Sequence, residues 1–261
     1  MASVPIKPEV GMVAFLDILG YTNFLQNNEP EEAAGTVLEY LLGAPKKANE
    51  QYESLFNENE NSVKDTLKQH VAHFKWLIFS DTILITNSYE DGDSEAQKRL
   101  RWKVFLGTLI VLYRNLFENG LPIRGGVGYG KFFVKDNCFV GRPIIAAYQL
   151  AHRLDLAAIA MDPSAIQEMS TLGLFAKSDV WEAISVEYLA PTKQQASEKM
   201  RLLQVSFAAL PRLRIPHIRQ AVAESFWKHK KDLPPEVVEK LNNTELFFRF
   251  AKMANPKLFS D

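Results

Sequence analysis

With one cysteine, Cys138, in 261 residues, the chain cannot form an internal disulfide, and a reducing compartment is the simplest setting for it. It also lacks any run of about 18 apolar residues, which argues against a membrane-spanning helix. The N-terminal Met1-Ala-Ser-Val-Pro5 has neither the charged nor the apolar region of a signal peptide, so a cytosolic protein without membrane insertion is expected. Charge of one sign is missing too. Thirty basic residues against 31 acidic ones leave a net charge of -1, so no global field draws nucleic acid or an anionic membrane, and any anionic ligand must be held locally. The five histidines have no metal-ligand spacing, and no repeat or low-complexity segment is present. An apolar fraction of 47% with 23% charged residues excludes a disordered chain and suffices for a full core.

Two stretches stand out, Val13-Ala-Phe-Leu-Asp-Ile-Leu-Gly-Tyr-Thr22 and Lys75-Trp-Leu-Ile-Phe-Ser-Asp-Thr-Ile-Leu-Ile85. Each embeds a single carboxylate, Asp17 or Asp81, in apolar residues that read as a buried strand. An isolated carboxylate there is costly unless it is paired or holds a metal. One such aspartate alone reads better as a turn or cap residue. Two in one domain ask for a cation.

Along the chain, Met12 to Leu19 reads as a strand, followed by a turn into a helix that Thr22 or Asn23 caps. A long amphipathic helix is expected from Pro30 to about Phe56, then a solvated loop over Asn57 to Lys68. Val71 to Phe79 and Thr82 to Thr86 form a hairpin around Ser80-Asp81, and Asp91-Gly-Asp-Ser94 opens a helix that Asn119-Gly120 ends. Leu121 to Val134 reads as a strand whose glycines serve packing. Pro143 starts a helix to about Leu154, and a strand (157–161), a short helix (163–169) and a last strand or pair of strands (180–189) follow. From Lys193 the pattern turns helical, with a break at Pro234-Pro235, and Lys228-His-Lys-Lys231 reads as a solvated helix end. The order β-α-β-β-α-β-α-β-α-β predicts an α/β sandwich of the α+β kind. It has a mixed sheet related to the split βαβ arrangement, with a core domain at 12–190 and a C-terminal helical extension at 193–261.

Four segments in order, Phe15-Leu-Asp-Ile-Leu-Gly-Tyr-Thr22, Phe79-Ser-Asp-Thr-Ile83, Leu121-Pro-Ile-Arg-Gly-Gly-Val-Gly-Tyr-Gly130 and Val140-Gly-Arg-Pro-Ile-Ile-Ala-Ala-Tyr-Gln-Leu150, resemble the successive motifs of class III nucleotidyl cyclases. Their wording is closer to the bacterial pyrimidine cyclases of the Pycsar antiphage systems. The resemblance implies that Asp17, Asp81 and the main-chain carbonyl of Ile18 bind two divalent ions, Mn²⁺ or Mg²⁺. The chemistry suits them, because attack of a ribose 3′-hydroxyl on the α-phosphate builds charge on the attacking and leaving oxygens together, and two ions about 3.5–4 Å apart stabilise both. It also implies substrate contacts from Phe15, Gly20, Tyr21, Thr22, Leu77, Arg124 and Cys138. The Gly20 turn would seat phosphates. Arg124 either faces the triphosphate or pairs with a surface acid.

The chain departs from the adenylate cyclase pattern at the base. Where a lysine and an aspartate select adenine, Leu77 and Cys138 stand here, which disfavours a purine edge. The asparagine and arginine that serve the transition state become Ile145 and Gln149, and Arg153, one turn on, or Arg142 is the candidate substitute. The resemblance further implies a head-to-tail homodimer with sites at its interface. The expected activity is conversion of a pyrimidine nucleoside triphosphate, UTP before CTP, to its 3′,5′-cyclic monophosphate and pyrophosphate. That product would be read by a separate effector protein in antiviral defence. A non-catalytic nucleotide-binding or dimerisation module and an adenylate cyclase with a rearranged pocket are the alternatives.

Overall fold

The computed structural model describes residues 7–43, 73–175, 185–194, 196–203 and 217–254. The expected loop at 57–68, His70, Val71 and the distal part of the helix running to Phe56 lie outside these residues.

Strand β1 (Glu9–Ile18) is the centre of the sheet. Its period of two sends Met12, Ala14, Leu16 and Ile18 into the main core, while Val13, Phe15 and Asp17 go to the other face. The hairpin of β2 (Lys75–Phe79) and β3 (Thr82–Ser88) pairs with one side of β1, and β4 (Ile123–Lys135) with the other, both antiparallel. A short β5 (Cys138–Gly141) folds back on β4. Beyond β4, β6 (Ile159–Met161) runs parallel to it, and β8 (Ser197–Leu203) and β7 (Ser185–Pro191) complete an eight-stranded mixed sheet in the order β2-β3-β1-β4-β6-β8-β7.

The helices are α1 (Tyr21–Gln26), α2 (Pro30–Val37) with a π-helical turn at Leu38–Leu42, α3 (Glu95–Glu118), α4 (Arg142–Arg153), α5 (Pro163–Thr171), α6 (Ile218–Trp227) and α7 (Pro235–Ala254). A Ser94–Gln97 capping box starts α3, which buries Trp102, Phe105, Leu109, Leu112 and Leu116 in the main core. Helix α4 covers part of the opposite face and lies directly on the β4 backbone. A side chain at Gly126 or Gly128 would meet the carbonyls of Ala147 (2.2 Å) or Pro143 (2.7 Å), so these glycines serve close packing as expected.

Two expectations fail. Helix α1 has no side-chain cap: Gly20, at φ 77, occupies the N-cap position instead of Thr22 or Asn23. The segment after Lys193 is not helical at once, because Ser197–Leu203 is a strand. Alternation decides it, since Met200 and Leu202 are buried while Lys199 faces Glu187 on β7 at 2.6 Å. The C-terminal helices share the main core: Phe247 and Phe248 are fully buried, Phe248 packs on Phe117 at 5.3 Å, and Thr244 Oγ1 accepts from the Ala157 amide at 2.8 Å. Aromatic side chains buried in this way stabilise by roughly 1.5–3 kcal/mol each.

Candidate functional site

Register brings the first aspartate to its partner. Asp17 lies opposite Thr82 on β3 and Arg124 on β4. Arg124 Nε and Nη2 donate to Asp17 Oδ2 at 2.7 and 2.6 Å, with both side chains 10% exposed. Arg124 therefore pairs with a buried acid of its own sheet, neither of the two partners foreseen from the sequence. Asp17 Oδ1 has no hydrogen bond among the described residues.

The second aspartate arrives by a turn. Ser80 takes a left-handed φ of 56, which closes the β2–β3 connection in two residues, and the Asp81 carbonyl accepts from the Ile18 amide at 3.0 Å. The hairpin turn is thereby tied to the end of β1. The Asp81 carboxylate makes no hydrogen bond or ion pair among the described residues. Burial and, after it, the Asp81 charge push the Tyr21 phenol up.

Asp17, Ile18, Gly20, Tyr21, Thr22, Asp81 and Arg124 all line one cavity of about 530 Å³. Ile18 keeps its side chain in the core, so it meets the cavity through its main chain. The sequence left out the other walls. Lys193 enters from the β7–β8 loop; burial, then the charge of Arg124, push its ammonium down, and Asp17 pulls it back. The loop joining α6 to α7 and the start of α7 add Lys231, Asp232, Glu236 and Lys240. Lys228 and Lys230 are exposed at the helix end as expected of the basic run, but Lys231, at 6% exposed, departs from that solvated reading. His152, expected to be structural or exposed, lines the cavity, its ring tilted against that of Tyr148 at 4.1 Å.

The remaining predicted residues lie elsewhere. Phe15 and Leu77 line a second groove of about 550 Å³ on the outer sheet face, with Leu84, Asn137, Ile144 and Tyr148. Its rim is apolar and open: Phe79 is 75% exposed and Ile145 57%. Cys138 is exposed on β5. Arg153 does not line the cavity, since its Nη1 pairs with Glu198 at 3.1 Å. Arg142 is exposed at the start of α4.

The donors fit a divalent cation of the Mg²⁺ kind on one condition. No group of three His, Cys, Asp or Glu side chains suited to a metal occurs among the described residues. Mg²⁺ is commonly held by one or two carboxylates together with substrate phosphates, and Asp81 with Asp17 Oδ1 supply that number. The condition is that Arg124 and the ion share Asp17. Among the described residues, no helix is long and apolar enough to cross a membrane.

No protein-family model matches the chain, and no curated protein matches its sequence. Among solved structures, a bacterial light-regulated adenylyl cyclase superposes with a TM-score of 0.49 at 11% identity, over 95% of this chain and 59% of its own length. The catalytic core of a rhodopsin-guanylyl cyclase with converted specificity, in complex with ATPαS, gives 0.45 at 14% identity over 77% of this chain and 98% of its own. A class III adenylyl cyclase-like ATP-binding protein from Pseudomonas aeruginosa gives 0.43 at 14% identity, over 98% and 47%. At these scores and identities the matches assign no activity to this chain.

Proposed function

We propose that the protein is a metal-dependent pyrimidine nucleotide cyclase of the class III kind, making a cyclic 3′,5′-monophosphate, UTP being favoured over CTP as substrate. One observation carries the reading: Asp17 and Asp81, far apart in sequence, meet in one cavity beside Arg124 and the Gly20 turn. In the proposed reaction the ribose 3′-oxygen bonds to the α-phosphorus, the bond from that phosphorus to the β-phosphate oxygen breaks, pyrophosphate leaves, and the hydroxyl proton passes to solvent. Two Mn²⁺ or Mg²⁺ ions, when bound, supply charge at the attacking and leaving oxygens. Asp17, Asp81 and the Ile18 carbonyl would hold them.

Arg124 and Lys193 stand where they can meet the triphosphate. A phosphate oxygen competing for the Arg124 guanidinium would release Asp17 Oδ2 for the metal. Leu77, standing where the adenylate cyclase pattern has a lysine, offers no hydrogen bond of its own to a purine edge, which supports a pyrimidine. Class III resemblance and the open groove of Phe15, Leu77, Phe79, Ile145 and Tyr148 together support a homodimer, in which a second copy covers this face and the base is read at the interface. The expected place is the cytosol, with the product activating a separate effector in antiphage defence.

The test is incubation of the purified protein with each of the four ribonucleoside triphosphates and Mn²⁺, followed by identification of cyclic products. Cyclic UMP from the parent and none from Asp81→Ala is the expected result; a fully active Asp81→Ala protein ends the proposal. A second reading, a non-catalytic nucleotide-binding module, is favoured by the Arg153–Glu198 pair, which occupies the candidate for the missing transition-state arginine. No cyclic product from any nucleotide selects it, and cyclic AMP as the main product would instead select an adenylate cyclase.

A further inference from the structure

The cavity wall contributed by the C-terminal helices contains a buried cation without a counter-ion. Lys231 Nζ donates to the carbonyls of Gly120 at 2.6 Å and Ser225 at 3.1 Å, and it has no carboxylate partner among the described residues. An ammonium has three donors, and two acceptors answer them here. Taking such a charge out of water is costly unless an opposite charge approaches it. Its aliphatic stem lies against the turn that opens α1, with Cδ 3.5 Å from where a β-carbon on Gly20 would stand.

The loop that carries it is held under strain. His229 and Lys230 are consecutive non-glycine residues at φ 63 and 56, in the left-handed region that L side chains avoid. Three asparagines of α1 and the turn after it tie the loop down. Asn28 Nδ2 donates to the His229 carbonyl at 2.6 Å, Asn27 Nδ2 to the Lys230 carbonyl at 2.9 Å, and Asn23 Nδ2 to Asp232 Oδ2 at 3.1 Å. His229 Nε2 closes the other side on the Asn119 carbonyl at 2.6 Å. Such strain persists only where surrounding contacts over-determine it, and its effect here is to put Lys231 in the cavity wall.

We propose that Lys231 binds the terminal phosphates of a polyphosphate ligand, and that the strained 228–232 loop, tied to α1, positions it to do so. The choice of a polyphosphate follows from the rest of the cavity. Arg124 and Lys193 face it from the sheet side, and the Lys193 ammonium also lacks a partner among the described residues. The proposal rests on the nucleotide reading of the same cavity and adds to it a residue from the C-terminal helices.

Titration calorimetry with pyrophosphate in Mn²⁺ buffer tests it, using the full chain, Lys231→Met and Asn28→Ala, each checked for cooperative thermal unfolding. Lys231→Met is expected to weaken binding about tenfold or more, the usual effect of removing a charged hydrogen-bond donor. Asn28→Ala keeps the ammonium and loosens the loop, so it is expected to weaken binding by a smaller factor. Pyrophosphate that fails to bind the parent, or that binds a folded Lys231→Met protein as tightly as the parent, overturns the proposal. Should Lys231→Met not fold, unchanged affinity in Asn28→Ala overturns it. The titration needs no turnover, so a chain that cyclises no nucleotide yet loses pyrophosphate on Lys231→Met retires the cyclase reading alone. Cyclic product made by Lys231→Met with unchanged KM retires this proposal alone.

Discussion

Replacing Arg124 by methionine separates the ion-pairing role of Asp17 from the metal-binding role proposed for it. Both side chains of the pair are 10% exposed, and Arg124 makes its two contacts to one oxygen of Asp17 at 2.6 and 2.7 Å. Methionine keeps most of the length and none of the charge, so it leaves a buried carboxylate uncompensated. Breaking a buried pair from one side costs about 3–5 kcal/mol, whereas removing both partners costs much less. For a chain of this size, each kcal/mol moves the melting temperature by about 2–4 °C, so Arg124→Met should melt about 6–20 °C below the parent. The double variant Asp17→Leu with Arg124→Met should recover part of that loss.

Divalent cations then discriminate between the roles. If Asp17 and Asp81 form a metal site, Mn²⁺ should restore the charge that Arg124 supplied. At a hundred times its dissociation constant, a ligand that binds only the folded state adds about 2.7 kcal/mol. Thermal or urea unfolding of the parent and of Arg124→Met, with and without Mn²⁺, is the assay, and the variant should gain more from the metal than the parent does. A variant that melts within about 2 °C of the parent refutes the argument from burial. One that is destabilised and gains nothing from Mn²⁺ keeps the ion pair and refutes the metal site.

Ile145→Glu places a charge on the rim of the exposed outer groove, where Ile145 is 57% exposed on α4. The folded monomer should tolerate it within about 0.5 kcal/mol, while light scattering should show loss of the proposed dimer together with the proposed cyclic product; an intact dimer removes this face as the interface. Lys231 should leave a pH signature. Burial and, after it, the nearby Lys228 charge push its ammonium down to about 7 from the ordinary 10.5, so the unfolded chain binds more protons across that window. The stability penalty is complete below about pH 7 and is relieved as pH rises towards 10.5, so the parent should gain about 2 kcal/mol relative to Lys231→Met between pH 7 and 9. The His229 imidazole, also pushed down by burial, titrates below that window. Urea midpoints whose difference stays flat from pH 7 to 9 refute the buried-cation account.

How much of this was legible in the sequence depends on the range of the cause. The two faces of β1 follow from alternation within ten residues, so Met12, Ala14 and Leu16 could be told from Val13, Phe15 and Asp17 by period alone. The two-residue turn at Ser80-Asp81 and the capping box of α3 are equally local. Ser197–Leu203 escaped because one buried methionine and two leucines among charged residues fit a helix face as well as a strand; the pairing of β8 with β6 and β7, which fixes the alternation of its buried residues, decides between them. Register is the missing quantity at Asp17. A sequence shows that Asp17 and Arg124 exist, while the alignment of β1 on β4 decides that they meet as an ion pair at the cavity wall. Lys231 is harder still, because nothing within its own helix-end neighbourhood marks it as buried. Its burial is imposed by Asn23, Asn27 and Asn28, some two hundred positions away, and by the carbonyl of Gly120. The strand and the hairpin that carry the two carboxylates are therefore legible from short-range pattern, whereas Lys231 is buried only by contacts between the C-terminal helices and the rest of the fold.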